Sequence, residues 1–536
     1  MFKKLLKKVL GFSGKKGSGK TAAQQPTEKR PLSVNYDDNL QALQQIFDLC
    51  ADILFREFTI NPKNPIRAFV VYVAGLTDYE MISDHLLKTV MQATDTLTTS
   101  VHLTRDNAQQ ILLERLINLA ETSTTSDLIE LVKKVLEGNT VLVLDGSATA
   151  IIAGVRGGES RAIVEPDTEP GVRGPKDSFV ESIDTNLSLI RRRIKSSRFK
   201  NEKFEVGLLT KTKIAVCYIK GIANDKVVQE VKQRISRINI DSVLASNYIE
   251  ELIMDEPISL FPLVQYTERP DKVAASLLEG RIVILVDNTP MSLIVPITFI
   301  TLLQAAEDYY NNAVFGTATR LLRFMALNIA LLLPAITVAA FSFHQELIPT
   351  ALINTVAGAR QNLPLPIFFE VLLIEFAFEL LREAGVRLPK TIGQAISTVG
   401  GLVIGQSAVA AGLVSPISVI VVAITAIASY AIPNYAAGTA VRILRFMLIF
   451  LAGVLGGVGI VSGLMVILIH ICSLRSFGIP YLSPLAPLSL GDLKDTMVRA
   501  PWWAMLTRPR LFAASEPVRQ DPDQGPQKPD KGGQRS

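Results

Sequence analysis

Four residues in one stretch of this sequence carry charge where charge is costly: Glu370, Glu375, Glu379 and Arg382. They lie in Ile367–Arg382, a run that is otherwise apolar, with Glu383 just beyond it. At about 100° per residue, Glu375, Glu379 and Glu383 share one helical face and Glu370 lies well apart. Carboxylates at bilayer depth must face water, protein or a partner charge. A ring of such helices in a symmetric oligomer would surround a pore with carboxylates and favour cations, which makes Glu370, Glu375, Glu379 and Arg382 the candidate pore or gating residues. The alternative is an interfacial helix whose glutamates pair with Arg382, Arg387 or Lys390. The sequence leaves both readings open.

Other chemistry finds no constellation. Cys50, Cys217 and Cys472 are far apart and form no CxxC pair. His85, His102, His344 and His470 form no HExxH. No catalytic, cofactor or metal site is therefore expected, and the chain is not expected to be an enzyme. Gly14-Lys-Lys-Gly-Ser-Gly19-Lys20-Thr21 fits the phosphate-cradling GxxxxGK[ST] pattern. Phosphate cradling needs a buried strand before the loop and a helix after it. Here the preceding stretch is short and basic, and Pro26 interrupts the residues after the loop, so the match reads as a false positive in a flexible linker. Arg191-Arg192-Arg193 has no interleaved aromatics or recognition motif, so nucleic acid is not an expected partner; a solvated or membrane-facing helix face is.

The acidic stretch sits among long charge-free ones. No Asp, Glu, Lys or Arg occurs from Phe324 to Gln345, from Thr391 to Val441, or from Phe446 to Leu474. A bilayer core needs about 20 apolar residues per helix, so the middle gap holds two spans and the others one each. The expected spans are Leu321–Phe343, Ile392–Leu413, Ile417–Ile432 and Leu444–Ile471, with a fifth if the acidic helix also crosses. Gly401, Gly405, Gly453 and Gly457 stand at GxxxG spacing, where small residues let helices approach closely.

Residues before 290 carry charges throughout and no long apolar run. They contain a repeat. Ala68–Asp78 and Ile214–Asp225 match at an offset of 146, and Glu137–Ala153 and Glu279–Val295 match at an offset of 142. Asp145-Gly146 and Asp287-Asn288 sit between apolar β-branched runs, a hairpin signal. Each copy reads as a buried strand, helices and a closing hairpin.

The expected fold class is an α/β soluble N-terminal half of two related subdomains, followed by an all-α polytopic membrane domain. Residues 1–35 read as a basic flexible leader, 36–165 and 166–300 as the two subdomains, and 301–475 as the membrane domain with four or five transmembrane helices and the acidic amphipathic helix near 366–383. Residues 476–512 read as a membrane-proximal segment and 513–536 as a disordered tail. The 536-residue chain has 48% hydrophobic residues and a mean hydropathy of +0.30, which excludes a disordered chain and a disulfide scaffold. Lys3, Lys4, Lys7 and Lys8 with interleaved apolar residues suit either a disordered leader or a short helix on an anionic leaflet, so membrane lipids are expected partners.

These residues resemble the A subunit of GerA-type spore germination receptors over roughly 40–510. The stretches that carry the resemblance include Asn186–Ile194, Glu268-Arg-Pro-Asp271, Glu307-Asp-Tyr-Tyr310, Leu381–Pro389, Val399–Gln406, Asp492-Leu-Lys-Asp495 and Arg499-Ala-Pro-Trp502. The resemblance implies a nutrient-responsive receptor of the spore inner membrane; the apolar residues of Met1–Phe12 are too interrupted for a signal peptide, so the N-terminal half is expected on the cytoplasmic, spore-core side. It implies a homo-oligomer acting as a nutrient-gated monovalent cation channel, with a permease-like B subunit and a lipoprotein C subunit as partners. A non-conducting scaffold for those subunits is the alternative, and a secondary transporter a more distant one, since no inverted pair of broken helices is visible.

Overall fold

Strands with apolar residues on both sides must be covered on both faces, and the N-terminal half is built around four of them. The computed structural model describes residues 29–60, 65–91, 105, 107–117, 119, 121–157, 166, 168, 169, 171–361, 363–388, 401, 403, 405–489, 491–512, 516–522 and 524–526. Residues 1–28 of the expected leader, with its Gly14–Thr21 pattern, and residues 392–400 of the expected span Ile392–Leu413 lie outside them; the last leader residues are ordered, with Leu32 buried and Asn35 capping the first helix.

The first α/β unit opens with α1 (Tyr36–Ile46), β1 (Ile53–Ile60) and β2 (Ile66–Val73). It continues through β3 (Thr122–Thr125), α2 (Leu128–Leu136), β4 (Thr140–Leu144) and β5 (Ala150–Ala153). The strands form an antiparallel sheet in the order β1-β2-β4-β5-β3. Phe69, Val71, Val141 and Val143 join one buried cluster, and Ala68, Val70, Leu142 and Leu144 join the other. This is the side-to-side alternation of a sheet packed on both faces.

The second unit repeats the plan. It has α3 (Ile183–Arg193), β6 (Phe199–Val206), β7 (Thr212–Ile219), α4 (Ser246–Ile253), β8 (Gln265–Thr267), α5 (Pro270–Leu278), β9 (Ile282–Val286) and β10 (Ser292–Val295). Its order, β6-β7-β9-β10-β8, is that of the first sheet. The turns at Gly146 and Asn288 both take positive φ, 87° and 65°. Asn tolerates that conformation better than most residues, so the two hairpins agree despite different residues. The outer strands β1 and β6 were not expected; they carry Arg56 and Glu57, and Lys200, Glu202 and Lys203, among their apolar residues.

A buried ion pair joins the units. Arg191 Nε and Nη2 donate to Asp52 Oδ2 and Oδ1, both at 2.8 Å, and Asn201 Nδ2 donates to Asp52 Oδ1 at 2.7 Å. Backbone bonds from Ala51 and Asn201 continue the junction. The solvated or membrane-facing reading of the arginine run is thus corrected at its first residue, because Arg191 is fully buried. Arg192 is exposed, and Arg193 binds Asp177.

Glu250 on α4 is half-buried, and burial pushes its carboxyl up to about 7. The folded chain keeps this proton where the unfolded chain, titrating near 4.5, has lost it. The group's contribution to stability therefore falls as pH rises from about 4.5 to about 7 and is level above that. Glu250→Gln is expected to raise the thermal unfolding midpoint near pH 8 and to leave it unchanged near pH 4. Equal effects at the two pH values would contradict this.

The C-terminal half is helical: α6 (Ala313–Ser342), α7 (Thr350–Arg360), α8 (Ile367–Arg387), α9 (Pro416–Tyr430) and α10 (Tyr435–Ser473). By length and composition, α6 and α10 can each cross a membrane, and α9 is apolar but has 15 residues. One cluster of buried side chains runs through α6, α8, α9 and α10 and includes Phe261, Leu263 and Tyr481. Gly456 breaks the long α10 with φ 60° and ψ −139°. There the Gly457 N–H donates to His344 Nε2 at 3.2 Å.

The segment after α10 returns along the second unit. Ser476 Oγ donates to the Leu263 carbonyl at 2.7 Å, and Tyr309 OH donates to Asp495 Oδ2 at 2.8 Å. Part of the expected disordered tail is ordered. Residues 516–522 turn back because Arg508 donates to the Glu516 and Val518 carbonyls and Glu516 pairs with Arg198 at 3.0 Å.

Candidate functional site

The acidic helix α8 turns Glu370, Glu375 and Glu379 inward. Glu370 is fully buried. Its Oε2 accepts from the Ser415 N–H at 2.9 Å and the Ser418 hydroxyl at 3.0 Å, and Arg360 Nη2 lies 3.5 Å from Oε1. Ser415 caps α9, so the carboxylate sits at the positive end of that helix, where backbone N–H groups and the helix dipole favour an anion.

Glu375 and Glu379, one turn apart, face α10. Arg445 Nη2 lies 3.0 Å from Glu375 Oε2 and 3.1 Å from Glu379 Oε1. Arg442 Nη1 lies 3.2 Å from Glu379 Oε2. Arg382 completes the group: its Nη1 is 3.8 Å from Glu379 Oε1, and its Nη2 donates to Ser429 Oγ on α9 at 2.8 Å. Two carboxylates and three guanidiniums therefore tie α8, α9 and α10 together. Side-chain exposure is 1% for Glu375 and 2% for Arg445, so neither charge has water as a substitute partner. Glu383 points elsewhere, to Arg387 at 2.6 Å on the exposed surface.

A second charge cluster holds the N-terminal end of α6. Asp308 accepts from Arg320 Nε at 3.0 Å and from Arg323 Nη1 at 2.8 Å, and Arg320 Nη1 also donates to Asp495 Oδ1 at 2.8 Å. The stretches Glu307–Tyr310 and Asp492–Asp495, far apart in sequence, thus meet at one point.

Between the two clusters lies a cavity of about 570 Å³. Its walls come from α5, the loop between α9 and α10, and the ends of α6 and α8. Lys272 and Arg269 line it from the α/β half, and Arg382 and Arg442 from the helices. Among the described residues no group of His, Cys, Asp and Glu could hold a metal ion.

The candidate packing glycines differ in surroundings. A Cβ on Gly453 would lie 2.4 Å from Phe368 Cδ2, and one on Gly457 3.0 Å from His344 Nε2. The same atom on Gly405 or Gly401 would meet Val419 or Leu381 at 3.6 and 3.9 Å, ordinary contact. Sequence reasoning did not assign Arg442 and Arg445 as partners of the glutamates. The signal was present: they stand three apart, on one helical face, in the one interruption of a charge-free run from Thr391 to Leu474.

The sequence profile of the Bacillus/Clostridium GerA spore germination protein family matches residues 41–511. The chain belongs to this family. Among GerA relatives, spore germination protein KA of Bacillus subtilis (strain 168) is 43% identical over 505 residues, covering 94% of this chain and 92% of the relative. Spore germination protein A1 of the same organism is 40% identical, covering 82% of this chain and 88% of the relative. An uncharacterized membrane protein of that organism, YfkQ, is 44% identical, covering 91% and 93%. The crystal structure of the N-terminal domain of the A subunit of the Bacillus megaterium spore germinant receptor GerK3 is 34% identical, covering 51% of this chain and 98% of that one, with a TM-score of 0.41.

Proposed function

We propose that this GerA-family chain is the A subunit of a nutrient-responsive germination receptor in the spore inner membrane, with its α/β half on the spore-core side. Several copies assemble, with a permease-like B subunit and a lipoprotein C subunit, into a nutrient-gated route for monovalent cations. Family membership supports the receptor assignment. The observation that carries the assembly is the outer face of α8. Phe369, Leu373, Phe376 and Leu380 recur at one-turn spacing and are all about half exposed, while Glu370, Glu375 and Glu379 of the same helix are turned inward. An apolar stripe of this kind suits lipid or a second copy.

Crosslinking tests the assembly. Cys472 is exposed whereas Cys50 and Cys217 are buried, so a Cys472→Ser background gives a clean surface. In that background Leu373→Cys is expected to give a disulfide-linked dimer in oxidised native membranes, since one accessible thiol per chain joins two copies. Monomer alone, at normal receptor abundance, would remove the oligomer along this face.

The internal pairing of Glu375 and Glu379 favours one competing reading, a non-conducting scaffold. Carboxylates neutralised by Arg442 and Arg445 offer no free negative charge to a passing cation. If the route exists, other surfaces line it.

A further inference from the structure

The cavity between the α/β half and the helices is lined by five cationic side chains and two carboxylates, Glu169 and Glu307. The carboxylates are committed: Glu169 pairs with Lys272 at 2.5 Å, and Glu307 accepts from the Val172 N–H at 2.5 Å. So are most of the cations. Arg269 pairs with Asp271 at 2.9 Å, Arg323 with Asp308 at 2.8 Å and Arg442 with Glu379 at 3.2 Å. Arg382 is different. Its nearest carboxylate oxygen, Glu379 Oε1 at 3.8 Å, already lies 3.1 Å from Arg445. Its Nε is buried with no hydrogen-bond partner. Glu375 and Glu379 balance Arg442 and Arg445, which leaves Arg382 as the excess charge of the network.

The cavity has the place and rim of a phosphate site. Tyr430, at the end of α9, and Tyr435, at the start of α10, both line it and are mostly exposed. Tyrosines at the ends of apolar helices mark the headgroup level of a bilayer. The Arg382 guanidinium lies 4.6 Å from the Tyr430 ring centre, which holds it at that level. Planar guanidinium groups match phosphate oxygens in a bidentate fork, and Lys adds a point charge from the opposite wall. Basic pockets at the ends of membrane helices take anionic headgroups for the same reason.

We propose that this cavity binds a phosphate-bearing anion between Arg382 and Arg442 of the helical half and Lys272 of the α/β half, so that the ligand clasps the two halves together. The source is an anionic phospholipid headgroup or a free phosphate. The lipid source rests on the helices being in a membrane; the free-phosphate source does not.

The test uses the full chain in nanodiscs and reads its thermal unfolding midpoint, which ligand binding raises by mass action. It needs no ion flux, so its failure is separate from failure of the channel reading. Wild type is compared in neutral phosphatidylcholine discs, in discs containing phosphatidylglycerol, and in neutral discs with added inorganic phosphate, at matched ionic strength. A rise of several degrees with phosphatidylglycerol that is lost in Arg382→Gln and kept in Arg382→Lys supports a lipid headgroup. The same pattern with inorganic phosphate supports a free anion. Arg382→Gln leaves Glu375 and Glu379 balanced but gives up the bond to Ser429 and the contact with Tyr430, so each variant's rise is read from its own midpoint in neutral discs. If it does not fold, Lys272→Gln on the opposite wall takes its place. No rise in either arm, or an equal rise in the variants, overturns the site.

Discussion

Arg445→Ala is expected to destabilise the folded chain by about 3–5 kcal/mol, the range for removing one partner of a buried ion pair. Alanine would leave Glu375 buried opposite nothing and Glu379 with only Arg442 and the more distant Arg382. Replacing the pair together, Arg445→Leu with Glu375→Leu, should recover most of the loss, because a buried pair and two packed apolar side chains are often comparable in stability. The control is Arg387→Ala, whose ion pair with Glu383 is exposed and worth about 1 kcal/mol or less. Unfolding midpoints of the detergent-solubilised full chain compare the three. Arg445→Ala behaving like Arg387→Ala would show that the network does not hold α8 against α10.

Arg191→Ala should be about as costly in the α/β half, again about 3–5 kcal/mol. The guanidinium is fully buried, meets both oxygens of Asp52 and lies 4.5 Å from the Phe199 ring centre. Arg191→Lys keeps the charge but cannot span both oxygens, so it should lose much of the stability as well. A double-mutant cycle with Asp52→Ala isolates the pair and should return a coupling of about 0.5–3 kcal/mol, the range for residues in contact. Full stability in Arg191→Lys would contradict a bidentate junction between the units.

Local patterns were legible in the sequence and long-range partners were not. Asp145-Gly146 and Asp287-Asn288 announced the two hairpins because turns of positive φ restrict residue type locally. The central strands β2, β4, β7 and β9 were visible because burial on both faces makes them continuously apolar. The outer strands β1 and β6 lack that signature, since Arg56, Glu57 and Lys203 meet solvent and the buried Lys200 donates to the Ile46 and Asp48 carbonyls. Arg191 looked like one of three surface arginines because Asp52, its partner, is 139 residues away. The face shared by Glu375 and Glu379 followed from helical spacing, but the arginine opposite Glu379 lies 66 residues downstream. Spacing along one helix shows which side chains point the same way; only the packing of α8 on α10 shows what they meet.

A flux assay on the purified full-length chain in potassium-loaded liposomes tests the cation route most directly. Potassium but not chloride is expected to leak from vesicles that hold the chain in oligomeric form, with the partner subunits adding control by nutrient. Vesicles that stay tight to potassium, with and without those partners and nutrient, while containing the folded, crosslinkable oligomer, would contradict the route and leave a scaffold.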